Sequence, residues 1–214
     1  MTAGATTTGR LGRRGADRAT RTGVGPRARR ARRCRGGRGA AAVETALVLP
    51  LLFTLLFGII DLGLTFRLSN AMSNAVRTGA RASAAAPRTP GFEQLALDAV
   101  LRGTDDLGNG ALDYLVVFRA EPDTGLPVGG DIESCTVDCF RFDVDDVTGA
   151  LVPVLGPLWS YLDQIACSGD DTDLLGVYAR GHHDLAFGLL GESVTVTETA
   201  VVRLEPTNEP GLCP

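Results

Sequence analysis

Ala46–Phe66 is a run of 21 residues in which Thr54, Asp61 and Thr65 are the only polar interruptions. A helix rises about 1.5 Å per residue, so the run covers roughly 31 Å, close to the ~30 Å hydrocarbon core of a bilayer. A segment apolar on every side must be buried in protein or in lipid, and this one is long enough for lipid. A buried core helix and a cleaved secretory signal are the rivals. The signal reading needs the small-residue site Ala82-Ser83-Ala84, some twenty residues beyond the densest part of the run. That is much too far for a signal peptide.

Charge divides the chain around this run. Residues 1–39 hold twelve arginines and one acid, Asp17, whereas residues 87–214 hold six arginines and twenty-two acids. Such asymmetry suggests that the two ends face different environments. Arginines flanking a span stay in the cytoplasm, so Arg27 to Arg38 predict an N-terminus inside and a C-terminal domain outside. The tail is Gly/Ala/Thr/Arg-rich with few large apolar residues and is expected to be disordered. No aromatic residues interleave with its arginines to stack on bases, so no nucleic-acid partner is expected.

Three residues modify the span. Glu44 precedes its densest part, and a carboxylate there needs water, a headgroup or a partner. Asp61 is about 25 Å further along the helix and is expected to reach the outer interface as a solvated carboxylate. Pro50 removes one backbone hydrogen bond and is expected to kink the helix, which membrane spans tolerate.

Helical spacing continues beyond the span. Arg67, Asn70, Asn74, Arg77 and Arg81 recur at steps of three and four, opposite Leu68, Ala71, Met72, Ala75, Val76 and Gly79. The narrow face of small apolar residues suits packing on a sheet. Pro87 and Pro90 end the helix. The expected organisation is a disordered Arg-rich tail (1–39), a transmembrane and amphipathic helix (40–86) and an acidic extracytoplasmic domain (87–214).

That domain reads as mixed. Gly91–Arg102 has helical spacing. Leu112–Ala120, Cys139–Val144, Leu174–Arg180 and Ser193–Leu204 read as strands, with a turn at Gly181, while Leu151–Leu162 is ambiguous because of Pro153 and Pro157. The expected fold class is α+β: a transmembrane helix continuing into a long amphipathic helix, followed by a small antiparallel sheet in a pilin-like arrangement.

Cys135, Cys139, Cys167 and Cys213 lie outside the membrane on this reading. An even number in an oxidising compartment suggests two disulfides with three connectivities, of which Cys135–Cys139 with Cys167–Cys213 is the simplest. A metal site from Cys135, Cys139, Cys167 and His182 or His183 is the rival, but its C-x3-C spacing is loose. No metal and no cofactor is expected. His182-His183-Asp184 reads as a solvated turn. Gly191–Thr195 lacks the last glycine of a nucleophile elbow. The clusters Asp143/Asp145/Asp146 and Asp170/Asp171/Asp173 do not fit a calcium loop. With no phosphate loop or dinucleotide fingerprint either, no catalytic residues are assigned and the chain is not expected to be an enzyme.

Gly39-Ala40-Ala41-Ala42-Val43-Glu44 before an apolar run resembles a prepilin processing site. There a peptidase cuts after the glycine and leaves glutamate as the fifth mature residue. More specifically, Ala42-Val43-Glu44, Ala46, Leu47–Pro50, Gly58, Asp61, Gly63 and then Asn74-Ala75, Arg77, Gly79-Ala80-Arg81 are similar to the signature of TadE-like proteins, pseudopilins of tight-adherence (Flp pilus) systems. Thr45 departs from the phenylalanine usual there. The resemblance covers about 45 residues and is silent about the rest.

It implies processing at Gly39, Ala40 and Glu44, and assembly through Glu44, Pro50 and Asp61. The implied partners are the cell membrane, other pseudopilins or pilins, the pilus assembly machinery and a prepilin peptidase. A free Ala40 ammonium would pair with Glu44 of a neighbouring subunit, because burying either charge alone costs several kcal/mol. The expected function is a minor pseudopilin, single-pass and anchored in the cell membrane. The alternative is a single-pass protein with a ligand-binding or enzymatic outer domain.

Overall fold

In this computed structural model, the structure describes residues 36–107, 111–145, 147–154, 159–168, 171–188 and 191–208. The tail expectation for residues 1–35, and those for Cys213, Asp146 and Asp170, fall outside the described residues. The chain divides into two units at Glu44/Thr45. The described part of the first is helical, and its side chains from Gly39 to Glu44 are exposed.

Helix α1 is Gly36–Ala84 and contains Pro50 without interruption; α2 is Phe92–Thr104. Strands β1 (Leu112–Ala120), β2 (Cys139–Val144), β3 (Leu151–Val154), β4 (Leu174–Asp184) and β5 (Ser193–Arg203) form one antiparallel sheet in the order β3-β2-β1-β4-β5. The architecture is α+β, with one helix among the described residues long and apolar enough to cross a membrane.

Within the second unit, Thr45–Pro214, α1 changes environment along its length. Leu47, Leu51, Leu55 and Ile59 are exposed, whereas Leu68, Met72, Ala75, Val76, Ala80 and Ala84 are buried against the sheet. The polar residues predicted for the opposite side, Arg67, Asn70, Asn74, Arg77 and Arg81, are all exposed. Sheet packing is therefore the outcome for the amphipathic half. Small residues let α2 approach α1 closely. A Cβ on Gly79 would stand 3.0 Å from the Ala96 carbonyl, and one on Gly103 2.6 Å from the Cβ of Ala75.

The sheet has two covered faces. Leu112, Leu115, Val117, Leu175, Val177 and Ala179 face the helices and Trp159, while Tyr114, Val116, Phe118 and Tyr178 form a second cluster. A register shift between Leu112 and Tyr114 puts Leu112 on the face of Leu115, three residues on rather than two. This is a bulge in the central strand. Opposite Phe118 stands Gly176, where a Cβ would overlap the Phe118 ring. The missing side chain makes room for the aromatic ring.

The ambiguous Leu151–Leu162 segment supplies β3. Pro153 pairs with Phe142 there, which is tolerated because β3 is an edge strand. The turn expected at Gly181 is a correction: β4 continues through Gly181 to Asp184. His182 and His183 consequently lie in β4, paired with Thr195 and Val194, and not in a solvated turn.

Candidate assembly site

The residues with assembly expectations are distributed along α1. Gly39, Ala40 and Glu44 are exposed in a helical segment of the first unit. A Cβ on Gly39 meets nothing within 4 Å. Pro50 has no N–H to donate, and its carbonyl accepts the Thr54 hydroxyl at 2.9 Å, one turn on. Serine and threonine back-bonds of this kind to the i−4 carbonyl often bend helices slightly.

Asp61 corrects the sequence reading. It is not a solvated carboxylate but 0% exposed. Its Oδ1 accepts the Ala186 backbone N–H at 3.0 Å, and its Oδ2 has no hydrogen-bond partner among the described residues. Ala186 belongs to the connection between β4 and β5, which folds against α1. Phe187 of the same connection stacks on Phe57 with ring centroids 4.0 Å apart, and Phe57 stacks on Phe53 at 5.6 Å. The tip residues Ala186 and Phe187 were not singled out from sequence. The available signal was LAFGLL, Leu185–Leu190, an apolar run where a hairpin connection is ordinarily polar.

Just past this contact lies a cleft of about 310 Å³ lined by Leu64, Arg67, Asp106, His182, His183 and Asp184, among others. Arg67 donates to the Asp106 carbonyl at 3.3 Å. His182 Nδ1 meets Asp113 Oδ1 at 2.5 Å, and Arg180 Nε lies 3.7 Å from Asp113 Oδ2. Asp106, His182, His183 and Asp184 thus line the cleft with Arg67, at the level where the apolar run ends.

The other polar candidates have structural partners. Asp173 is 8% exposed, pairs with Arg119 at 2.8 Å and accepts the Ile165 N–H at 2.7 Å. Asp143 pairs with Arg141 at 2.6 Å. Asp145 accepts the Thr148 hydroxyl and the backbone N–H groups of Thr148 and Val147, which hold its carboxyl below the usual aspartate range. Cys135 and Cys139 form a disulfide, which removes two ligands of the rival metal site. Cys167 is also held in a disulfide. On that side of the sheet, Arg141 lies 4.3 Å above the Tyr114 ring, and Arg180 bonds Glu133 at 3.0 Å.

Burial and then the neighbouring Tyr114 hydroxyl push the Tyr178 hydroxyl up from 10.0 to about 12. The folded state therefore keeps this proton where the unfolded chain has lost it. Stability contributed by Tyr178 should be intact below pH 10 and fall as pH rises from 10 towards 12. Tyr178→Phe is expected to flatten that alkaline limb in denaturant titrations; an unchanged slope would contradict the assignment.

The signature residues beyond the span divide by burial: Ala75, Gly79 and Ala80 pack inward, while Asn74, Arg77 and Arg81 face outward. A model of the family described as TadE-like protein matches residues 39–81. The chain carries a TadE-like segment. The resemblance read from the motif is thus borne out, and the match begins at Gly39 and ends at Arg81. No curated protein and no solved structure matches the chain. The TadE-like segment lies wholly within α1 and takes in both the apolar run and the part packed on α2 and the sheet.

Proposed function

We propose that this chain is a minor pseudopilin of a tight-adherence pilus system, anchored by α1 with its α+β domain outside the cytoplasm. The match of residues 39–81 to the TadE-like family carries the reading. Its extent fits the proposed mature chain, which would begin at Ala40 after a prepilin peptidase cuts behind Gly39. The exposed leucines on α1 from Leu47 to Leu56 offer a surface for lipid and for the helices of pilins or other pseudopilins.

In that packing, the Ala40 ammonium of one subunit pairs with Glu44 of the next. Two charges leaving water together in one register cost less than either leaving alone, so the pair selects the register. Pro50 and Asp61 shape the span in this role, and no step turns over a substrate. A strain carrying Glu44→Ala is expected to make membrane-inserted protein at wild-type levels and to lose most surface pili by electron microscopy. Normal piliation would remove Glu44 from the assembly role.

A further inference from the structure

The β4–β5 connection places apolar residues beside the span, at a depth fixed by α1. Asp61, which bonds Ala186, lies five residues before Phe66, about 7 Å inside the end of the apolar run; Phe57, which stacks on Phe187, lies about 13 Å inside. Around the helix at these levels Ile59, Ile60, Leu62 and Phe66 are exposed, from 41% to 68%. If lipid covers these residues, it must reach Ala186 and Phe187 too.

We propose that the β4–β5 tip, residues 185–188, is a second membrane element, a wedge among the acyl chains of the leaflet on the domain side. Its ligand is the acyl-chain layer of that leaflet, from the headgroup boundary inward. The composition of the tip fits. Its residues 185–188, Leu-Ala-Phe-Gly, carry no charge and follow Asp184. Asp184, His182, His183 and Arg67 line the cleft just above, so charge resumes where the apolar run of α1 ends.

An irregular loop entering a bilayer must satisfy its backbone groups, because lipid offers no hydrogen bonds. Two amides of the tip are satisfied. Ala186 donates to Asp61 Oδ1, and Leu185 donates to the Glu192 carbonyl at 2.9 Å. On this reading Asp61 Oδ1 receives the tip amide at a depth where water is scarce. Phe187, 41% exposed, retains an apolar edge for lipid after stacking on Phe57. Asp61 and Phe57 hold the loop about 7 to 13 Å inside the end of the apolar run, within the ~15 Å half-thickness of one leaflet's share of the core.

The proposal rests on α1 spanning the membrane, and its test separates the two. Phe187→Trp, Leu51→Trp and Val147→Trp proteins would be reconstituted as full chains in phosphatidylcholine vesicles brominated at shallow or deep acyl positions. Trp159, 1% exposed in the core, supplies the baseline in the unsubstituted protein. The proposal expects deep bromines to quench about half of the fluorescence added at 187, held about 13 Å inside the end of the apolar run and so close to the middle of a ~30 Å core. Shallow bromines should quench position 51, about 7 Å from the other end of the run, and the 92%-exposed position 147 should be unaffected. Ala186→Trp is a second reporter in case a tryptophan at 187 disturbs the stack. Quenching at 51 without quenching at 187 or 186 overturns the wedge and leaves the span. No quenching at 51 or 187 overturns both. Protection of 187 by a second protein, seen as no lipid quenching, also overturns the wedge.

Discussion

Gly181→Val is expected to unfold most of the C-terminal domain at temperatures where the parent is intact. Gly181 pairs with Leu112 at the bulged end of β1, and the adjacent His182 N–H donates to the Ala111 carbonyl at 3.1 Å. A Cβ on Gly181 would overlap that carbonyl oxygen and stand 3.2 Å from Met72 Sδ of α1. The obstacle is backbone on one side and a fully buried core side chain on the other, so neither yields cheaply. Overpacking of this kind reaches the top of its usual range, about 3 kcal/mol, within a total stability of about 5–15 kcal/mol. Melting in detergent, followed by circular dichroism, should show the midpoint lowered by roughly 10 °C. Gly58→Ala, where a Cβ meets nothing within 4 Å, should leave it unchanged. An unaltered midpoint for Gly181→Val would show that β1 and β4 do not meet in this register.

The second large effect concerns the leader. Gly39→Val is expected to leave the protein folded, because the added side chain has open space around it. It should block removal of residues 1–39 altogether, since the proposed cut lies directly after this residue. Intact-mass measurement of membrane-extracted protein should find the parent starting at Ala40 and the variant retaining the leader. A parent starting at Met1 would sink the processing proposal while leaving the span untouched. Because the substitution spares the fold, loss of pili in the same strain would report on processing and not on misfolding.

These two glycines also show where sequence is informative. The TadE-like segment, which starts at Gly39, is legible because its motif is local: glycine, four residues, glutamate, then an apolar run. The amphipathic half of α1 is legible for the same reason, with Arg67, Asn74 and Arg81 on one side and Met72, Ala75 and Ala80 on the other. Strands β1 and β2 announce themselves through β-branched and aromatic residues. Gly181 is not legible, because a glycine required by a close approach looks the same as one that turns the chain. Pro153 obscures β3, since proline is acceptable only at a sheet edge and edge position is a property of the whole sheet.

Asp61 is the instructive failure. Its spacing from Glu44 places it near the end of the span, and an acid there reads as solvated. Its burial depends on Ala186, 125 residues away in sequence, and on the adjacent Phe187, at the tip of the β4–β5 hairpin. The clue was compositional: an apolar hexapeptide between two acids where a polar connection is the norm. A buried carboxylate at the end of a span and an apolar hairpin tip are each odd alone. Together they account for one another.

Whether the chain serves pilus assembly is tested most directly by deleting its gene and counting surface pili by electron microscopy, with the intact gene restored as a control. Few or no pili are expected in the deletion strain, with recovery on restoration. Wild-type piliation in the deletion strain would contradict the assembly role.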